Sequence, residues 1–241
     1  MIVSEKMWRD YIDRLRNIND HAANLMADYI RTHPLDIEEN LYSAMEYGYA
    51  LATKYGEAAA SLACMMYEAI AEASGVTVPA AVPAATATFG EVAQQINGTL
   101  KQSQNPDKIA SSIARLVKVT GIDTTMQNAL RDGAEWAWIP VGDTCPFCLM
   151  LASRGWNKAS KKAIKKGHAE HVHANCDCTY AVRFNKSTDV AGYDPQSYYD
   201  YYKSFGSDLN AMRRENYKVN KDKINEQKRI AYRARQENKV D

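Results

Sequence analysis

The sequence predicts a mostly α protein: a long N-terminal helical hairpin, a helical middle, a small α+β module rich in cysteine and histidine, and a helical basic tail. Three observations carry that reading. Apolar residues recur at helical spacing through the first seventy or so positions. An uncharged, aperiodic stretch with two prolines then interrupts them. Four of the five cysteines and three of the five histidines crowd between positions 145 and 178.

Trp8, Tyr11, Leu15, Ile18, Ala22, Leu25 and Tyr29 are spaced alternately by three and four. Arg9, Asp13, Arg16, Asn17 and Asp20 fill the opposite face, so this is an amphipathic helix of roughly six or seven turns. It ends before His33-Pro34, because the ring of Pro34 disfavours helical geometry at the preceding residue. Asp36, with Glu39 three residues on, predicts a capped start to the second helix. Its stripe runs Leu41, Met45, Gly48, Ala52, Tyr55, Ala59, Leu62, Met66 and Ile70, small enough in places for two helices to approach closely. Residues 1–73 therefore read as a helical hairpin, a packing scaffold.

Residues 74–88 carry no charge and no period, which predicts a linker or an extended strap across another surface. Residues 89–136 read as short helices, at about 90–102, about 107–119 and about 123–138 after Gly121, with Pro106 suited to a first helical turn. Residues 137–184 form the Cys/His module. Trp138 to Val141 before it and Thr179 to Phe184 after it are β-like, and Tyr180, Val182 and Phe184 alternate with Ala181 and Arg183. Residues 185–241 are a tyrosine- and lysine-rich tail, helical and polar from about Ser207.

Composition is that of a globular chain, 46% hydrophobic and 24% charged, which argues against wholesale disorder. The N-terminus lacks an apolar signal core and no stretch reaches the length of a membrane span, so a soluble protein outside the secretory route is expected. The net charge of +1 conceals an asymmetry. Residues 1–153 hold 11 Lys and Arg against 18 Asp and Glu, and residues 154–241 hold 19 against 11. Such a distribution suits a charged partner at one end, nucleic acid or an acidic protein surface, with a solvated tail equally open. Lys158, Lys161, Lys162, Lys165 and Lys166 are the candidate phosphate contacts.

The cysteine window reads Cys145-Pro-Phe-Cys148, then His168-Ala-Glu-His171-Val-His173-Ala-Asn-Cys176-Asp-Cys178. In a chain without a signal peptide, close-spaced pairs predict metal ligands rather than a disulfide framework. Two residues two or three apart can bite one zinc ion, and a second pair from distant sequence closes the tetrahedron. Cys145, Cys148, His173, Cys176 and Cys178 offer five candidates for four places. Cys64, alone in an apolar helical stretch, reads as a small buried hydrophobe.

Three rival chemistries fit less well. Cys145-Pro-Phe-Cys148 has the CPxC form of thioredoxin-like enzymes, but no βαβ pattern surrounds it. His168-Ala-Glu170 matches half of a zinc deaminase signature, yet the CxxC lies upstream of it where the signature needs it downstream. A zinc-braced nuclease could use His171, His173 and Asn175, although His168 and His171 sit too close together for the usual strand-loop-helix set. A closed Cys/His set more commonly braces a fold, because catalytic zinc keeps an open position.

Asp143, Cys145, the run Cys148-Leu-Met-Leu-Ala-Ser-Arg-Gly155, and His173-x-x-Cys176-x-Cys178 with the strand after it resemble the Mu F-like minor head proteins of tailed bacteriophages, in the form found in phages of Gram-positive hosts. The match covers residues 138–184. Many relatives have one cysteine five residues after the aspartate and then His-x-x-Cys-x-Cys. On that pattern Cys148, His173, Cys176 and Cys178 are the core set and Cys145 is an addition. His168 and His171 are departures. The resemblance implies a zinc knuckle of structural purpose and no catalytic residues. It implies a few-copy minor capsid protein, associated with the portal or the major capsid protein and acting in head assembly or DNA packaging and delivery. Its expected place is the phage head interior or portal region, with the host cytoplasm during assembly, and packaged DNA is an implied contact. The alternative is a zinc-braced nuclease or DNA-binding processing factor.

Overall fold

The structure is a computed structural model that describes residues 2–103, 105–141, 144–160, 178–223, 225–226 and 229. The chain divides into two compact units, one comprising Met1–Gly142 and Trp156–Tyr193, the other Asp143–Gly155 and Asp194–Asp241. The division runs through the Cys/His window.

The first unit is built on long helices. A short strand β1 (Ile2–Val3) precedes α1 (Glu5–Thr32), which Ser4 caps by accepting the Met7 N–H. The helix stops at Thr32, where Pro34 was expected to stop it, and the His33 N–H closes the last turn on the Tyr29 carbonyl. Helix α2 (Glu38–Ala73) begins one residue later than the capping-box reading placed it. Its N-cap is Ile37, which offers no side-chain cap. The turn before it is held instead by the Asn40 side chain donating to the Pro34 carbonyl at 2.9 Å, and Glu38 and Glu39 suit the positive end of the helix.

Residues 76–88 then run extended, and they are a strap rather than a free linker. Helix α3 (Phe89–Leu100) opens on a full capping box in which Thr88 and Glu91 satisfy each other's backbone N–H. Helix α4 (Pro106–Asp132) starts at Asn105-Pro106 as predicted, but it runs unbroken where two helices split at Gly121 were expected. Gly121 lies inside the helix, packed against α2, where a Cβ would stand at contact distance, 3.4 Å, from the Ala59 carbonyl oxygen. Gly48 meets Val92, Ile96 and Ile113 in the same way. Met26, Ala44, Ile96, Ile109 and Ile113 form the dry centre between α1, α2, α3 and α4, each at most 0% exposed. Burying the Met and Ile side chains among them is worth about 1.5–3 kcal/mol apiece before the entropy of ordering them.

Helix α4 ends at Gly133, which takes φ +66° as the left-handed cap. Strand β2 is Glu135–Ile139: its first residues were read from sequence as the end of a helix, whereas the β-like reading from Trp138 onward agrees with it. It lies between β3 (Asn157–Lys158) and β4 (Thr179–Arg183), antiparallel to both, with Trp136 opposite Val182 and Trp138 opposite Tyr180. The Tyr180 ring meets both indoles edge-on with centroids 4.7 Å away. Thr179 to Val182 are all buried, so β4 is covered on both faces rather than half-buried as its alternation predicted. Thr179 and Thr125 of α4 flank the Tyr11 hydroxyl of α1, and burial pushes that phenol up. Strand β5 (Asp189–Val190) pairs in parallel with β1.

In the second unit α5 (Pro146–Ala152) packs against α6 (Pro195–Ser204) and α7 (Leu209–Val219). Asp194 caps α6 and Asp208 caps α7 through their side chains. Helix α7 buries Met212 and exposes Arg213, Arg214 and Lys218, in line with the polar helical tail expected from sequence.

Candidate functional site

Pro146 sets the geometry of the CxxC pair. It occupies the first position of α5, where its missing N–H is no loss, and so makes Cys145 the N-cap and Cys148 the third helical residue. Both thiols therefore leave from one helical turn. Cys148 is buried and Cys145 half-buried. The Cys145 carbonyl accepts the Leu149 N–H at 3.2 Å, closing that turn.

Cys178 is buried at the residue before β4. Its position follows from the register of the sheet, which places Thr179 opposite Ile139. Two of the candidate thiols thus belong to one unit and Cys178 to the other. His173 and Cys176 lie outside the described residues, as do His168, Glu170, His171 and Asn175. Among the described residues no group of three or more His, Cys, Asp or Glu side chains stands together as a metal site. Thiols at positions i and i+3 and a third, buried thiol are a donor chemistry that suits zinc.

Of the candidate phosphate contacts, Lys158 is exposed on β3. Lys161, Lys162, Lys165 and Lys166 lie outside the described residues. Arg183, read from sequence as the outward residue of a strand, is instead held in place. Its Nε donates to Glu135 at 2.7 Å, a terminal nitrogen reaches Asp189 at 3.3 Å, and its guanidinium lies 4.7 Å from the Trp156 ring centre.

Other groups were not singled out by the sequence. Asp123 on α4 is half-buried, and its carboxyl is pushed up to about 6, first by burial and then by the charge of Glu91. Asp132 behaves oppositely. Hydrogen bonds from Arg131 hold it below the usual carboxylate range, and it accepts the Tyr67 hydroxyl at 2.9 Å. An open groove of about 350 Å³ between α1 and α2 is lined by Met7, Tyr11, Leu62, Met65 and Met66. Tyrosines seven apart on α2, visible in the sequence, were the available sign of an exposed aromatic stripe.

The chain matches the VG15 protein family over residues 2–205. It belongs to that family. VG15 is a family of phage gene products. No curated protein and no solved structure matches the chain. The span shared with VG15 takes in all five candidate metal ligands and ends one residue after α6. Among the described residues of this VG15 protein, no helix is long and apolar enough to cross a membrane.

Proposed function

We propose that this VG15 protein is a structural minor capsid protein of a tailed phage, associated with the portal and acting in head assembly or in DNA packaging and delivery. The observation that carries the reading is membership of a phage gene-product family across residues 2–205. The Mu F-like pattern of Asp143, Cys148, His173, Cys176 and Cys178 narrows it to the head.

In this reading the long helices α1, α2 and α4 are the scaffold, and their acidic surface docks on the portal or the major capsid protein. Four of Cys145, Cys148, His173, Cys176 and Cys178 hold one zinc ion, which supplies a cross-link and no chemistry on a substrate. The basic residues after position 153 meet packaged DNA through its phosphates, without reading sequence.

The test uses the phage that encodes the chain. Purified heads are analysed by mass spectrometry, and a deletion strain is scored for DNA-filled heads. The expected result is a few copies per head and loss of filled heads without the gene. Absence of the protein from heads, together with metal-dependent DNA cleavage that disappears in His171→Ala, would replace this reading with the zinc-braced nuclease.

A further inference from the structure

The outer face of α2 carries an aromatic corner open to solvent. Tyr42 and Tyr49 are seven residues apart, two helical turns, and so share one stripe. Tyr42 is 56% exposed and Tyr49 39%. Phe89, the first residue of α3, stands beside both, its ring centre 6.0 Å from each and its plane inclined by 53° to one and 83° to the other. Rings held at different tilts present both faces and edges to anything that settles between them.

Carboxylates frame this corner. At roughly 100° per residue, Glu38, Glu39 and Glu46 fall within about 60° of Tyr42 around the helix axis. All three are exposed, and among the described residues no ion pair or side-chain hydrogen bond engages them. The next basic residue along α2, Lys54, lies over the ring of Tyr55 at 5.4 Å. Aromatic faces flanked by uncompensated carboxylates select guanidinium and ammonium groups, through cation–π attraction and charge-assisted hydrogen bonds.

The chain itself supplies such groups. Residues 209–241 hold ten Lys and Arg against five Asp and Glu. On the described part of that segment Arg213 and Lys221 are exposed. We propose that the acidic aromatic face formed by Tyr42, Tyr49 and Phe89 with Glu38, Glu39 and Glu46 receives the basic C-terminal segment of a second copy of this chain. Donor and acceptor surfaces differ, so the contact is head-to-tail and links copies in series or in a ring. It does not depend on the proposed role in the phage head.

The experiment is sedimentation velocity of the full chain over a concentration series, at about 0.05 M and about 0.5 M salt, which changes the screening length about threefold. Species larger than a monomer at low salt that dissociate at high salt are the expected result. Reversing the face (Glu38→Lys, Glu39→Lys, Glu46→Lys) or the tail (Arg213→Glu, Arg214→Glu, Lys218→Glu, Lys221→Glu) weakens association by about tenfold or more, and combining both sets restores it. The Tyr42→Ala, Tyr49→Ala variant weakens it as well, while its exposed positions leave the thermal melt in place. A chain that stays monomeric at low salt overturns the proposal, including the case in which its own tail occupies the face. Association that survives both reversals overturns it too.

Discussion

The side-chain amide of Asn128 clasps the backbone of Val82 with both of its groups: Oδ1 accepts the Val82 N–H at 2.9 Å and Nδ2 donates to the Val82 carbonyl at 2.8 Å. One turn earlier on α4 the Thr124 hydroxyl oxygen accepts the Ala84 N–H at 2.9 Å, and one turn later Arg131 donates to the carbonyls of Pro79 and Ala80. Three residues of one helix face therefore hold the strap. Asn128 is 2% exposed while Val82 is largely exposed, so Asn128→Ala removes two hydrogen bonds at a partly buried contact. It should lower stability by about 1–3 kcal/mol in chemical denaturation. A change within error would show that the strap is not held by this contact.

Glycines in the helices divide by what surrounds them. A Cβ on Gly56 would stand 3.1 Å from the Thr86 methyl and 3.2 Å from the Thr120 hydroxyl, whereas one on Gly98 meets nothing within 4 Å. Gly56→Leu should cost about 1–3 kcal/mol by overpacking. Gly98→Ala, exposed in α3, should add about 0.5–1 kcal/mol through helix propensity. Thermal melts of the two variants should move in opposite directions.

Asp123 and Asp132 give stability a pH dependence of two signs. The Asp123 carboxyl is raised from 3.8 to about 6, so the folded state binds more protons than the unfolded one between those values. Its contribution to stability falls as pH rises through that window. Asp123→Asn should stabilise the protein at pH 7 by on the order of 1–2 kcal/mol, given its partial exposure, and do little near pH 4. Asp132, lowered chiefly by hydrogen bonds from Arg131, contributes above its unfolded value and loses that contribution as pH falls further. Denaturation midpoints of the parent and Asp123→Asn across pH 4–7 would sink the assignment if the two curves stayed parallel.

Arg183 uses the shape of its guanidinium as well as its charge. It bridges Glu135 and Asp189 and lies over Trp156, with its side chain 14% exposed. Lysine at this position keeps the charge but loses the planar fork and the stacking. Arg183→Lys should therefore lose about 1–2 kcal/mol. A lysine variant as stable as the parent would reduce the site to simple charge pairing.

The zinc proposal is tested by native mass spectrometry of protein purified without chelator. One zinc per chain is expected in the parent. A Cys148→Ser, Cys178→Ser variant should lose it together with cooperative unfolding. Finding no metal, with Cys145 and Cys148 recovered as a reversible disulfide, would favour redox chemistry at the window instead.

Local signals were reliable where local physics decides. His33-Pro34 ended α1, Asn105-Pro106 began α4, and the run from Thr179 formed a strand, all legible because a proline ring or a β-branched and aromatic run acts within a few residues. Gly121 misled because a glycine in sequence reads as a break, whereas here it sits buried inside the continuous α4, packed against Ala59 of α2. Trp136 misled because a strand is stabilised by its neighbour, and Tyr180 lies more than forty residues away, whereas Trp138 was already β-like by sequence. Among the candidate ligands the sequence named residue types and spacing. The N-cap role of Cys145 came from the helix that Pro146 opens.

By itself the sequence determined the helical hairpin, the start of α4 and the exposed basic helix at the C-terminal end, and its motif pointed to a phage protein. Each depends on periodicity, capping chemistry or motif spacing, all of which are written within short stretches of chain. Tertiary structure alone decided that residues 76–88 are a strap, that α4 is continuous, that β2 is a strand, and that Asp123 holds its proton to about pH 6. Those features arise from groups far apart in sequence, where burial and a partner across the core outweigh the propensity of the residue itself.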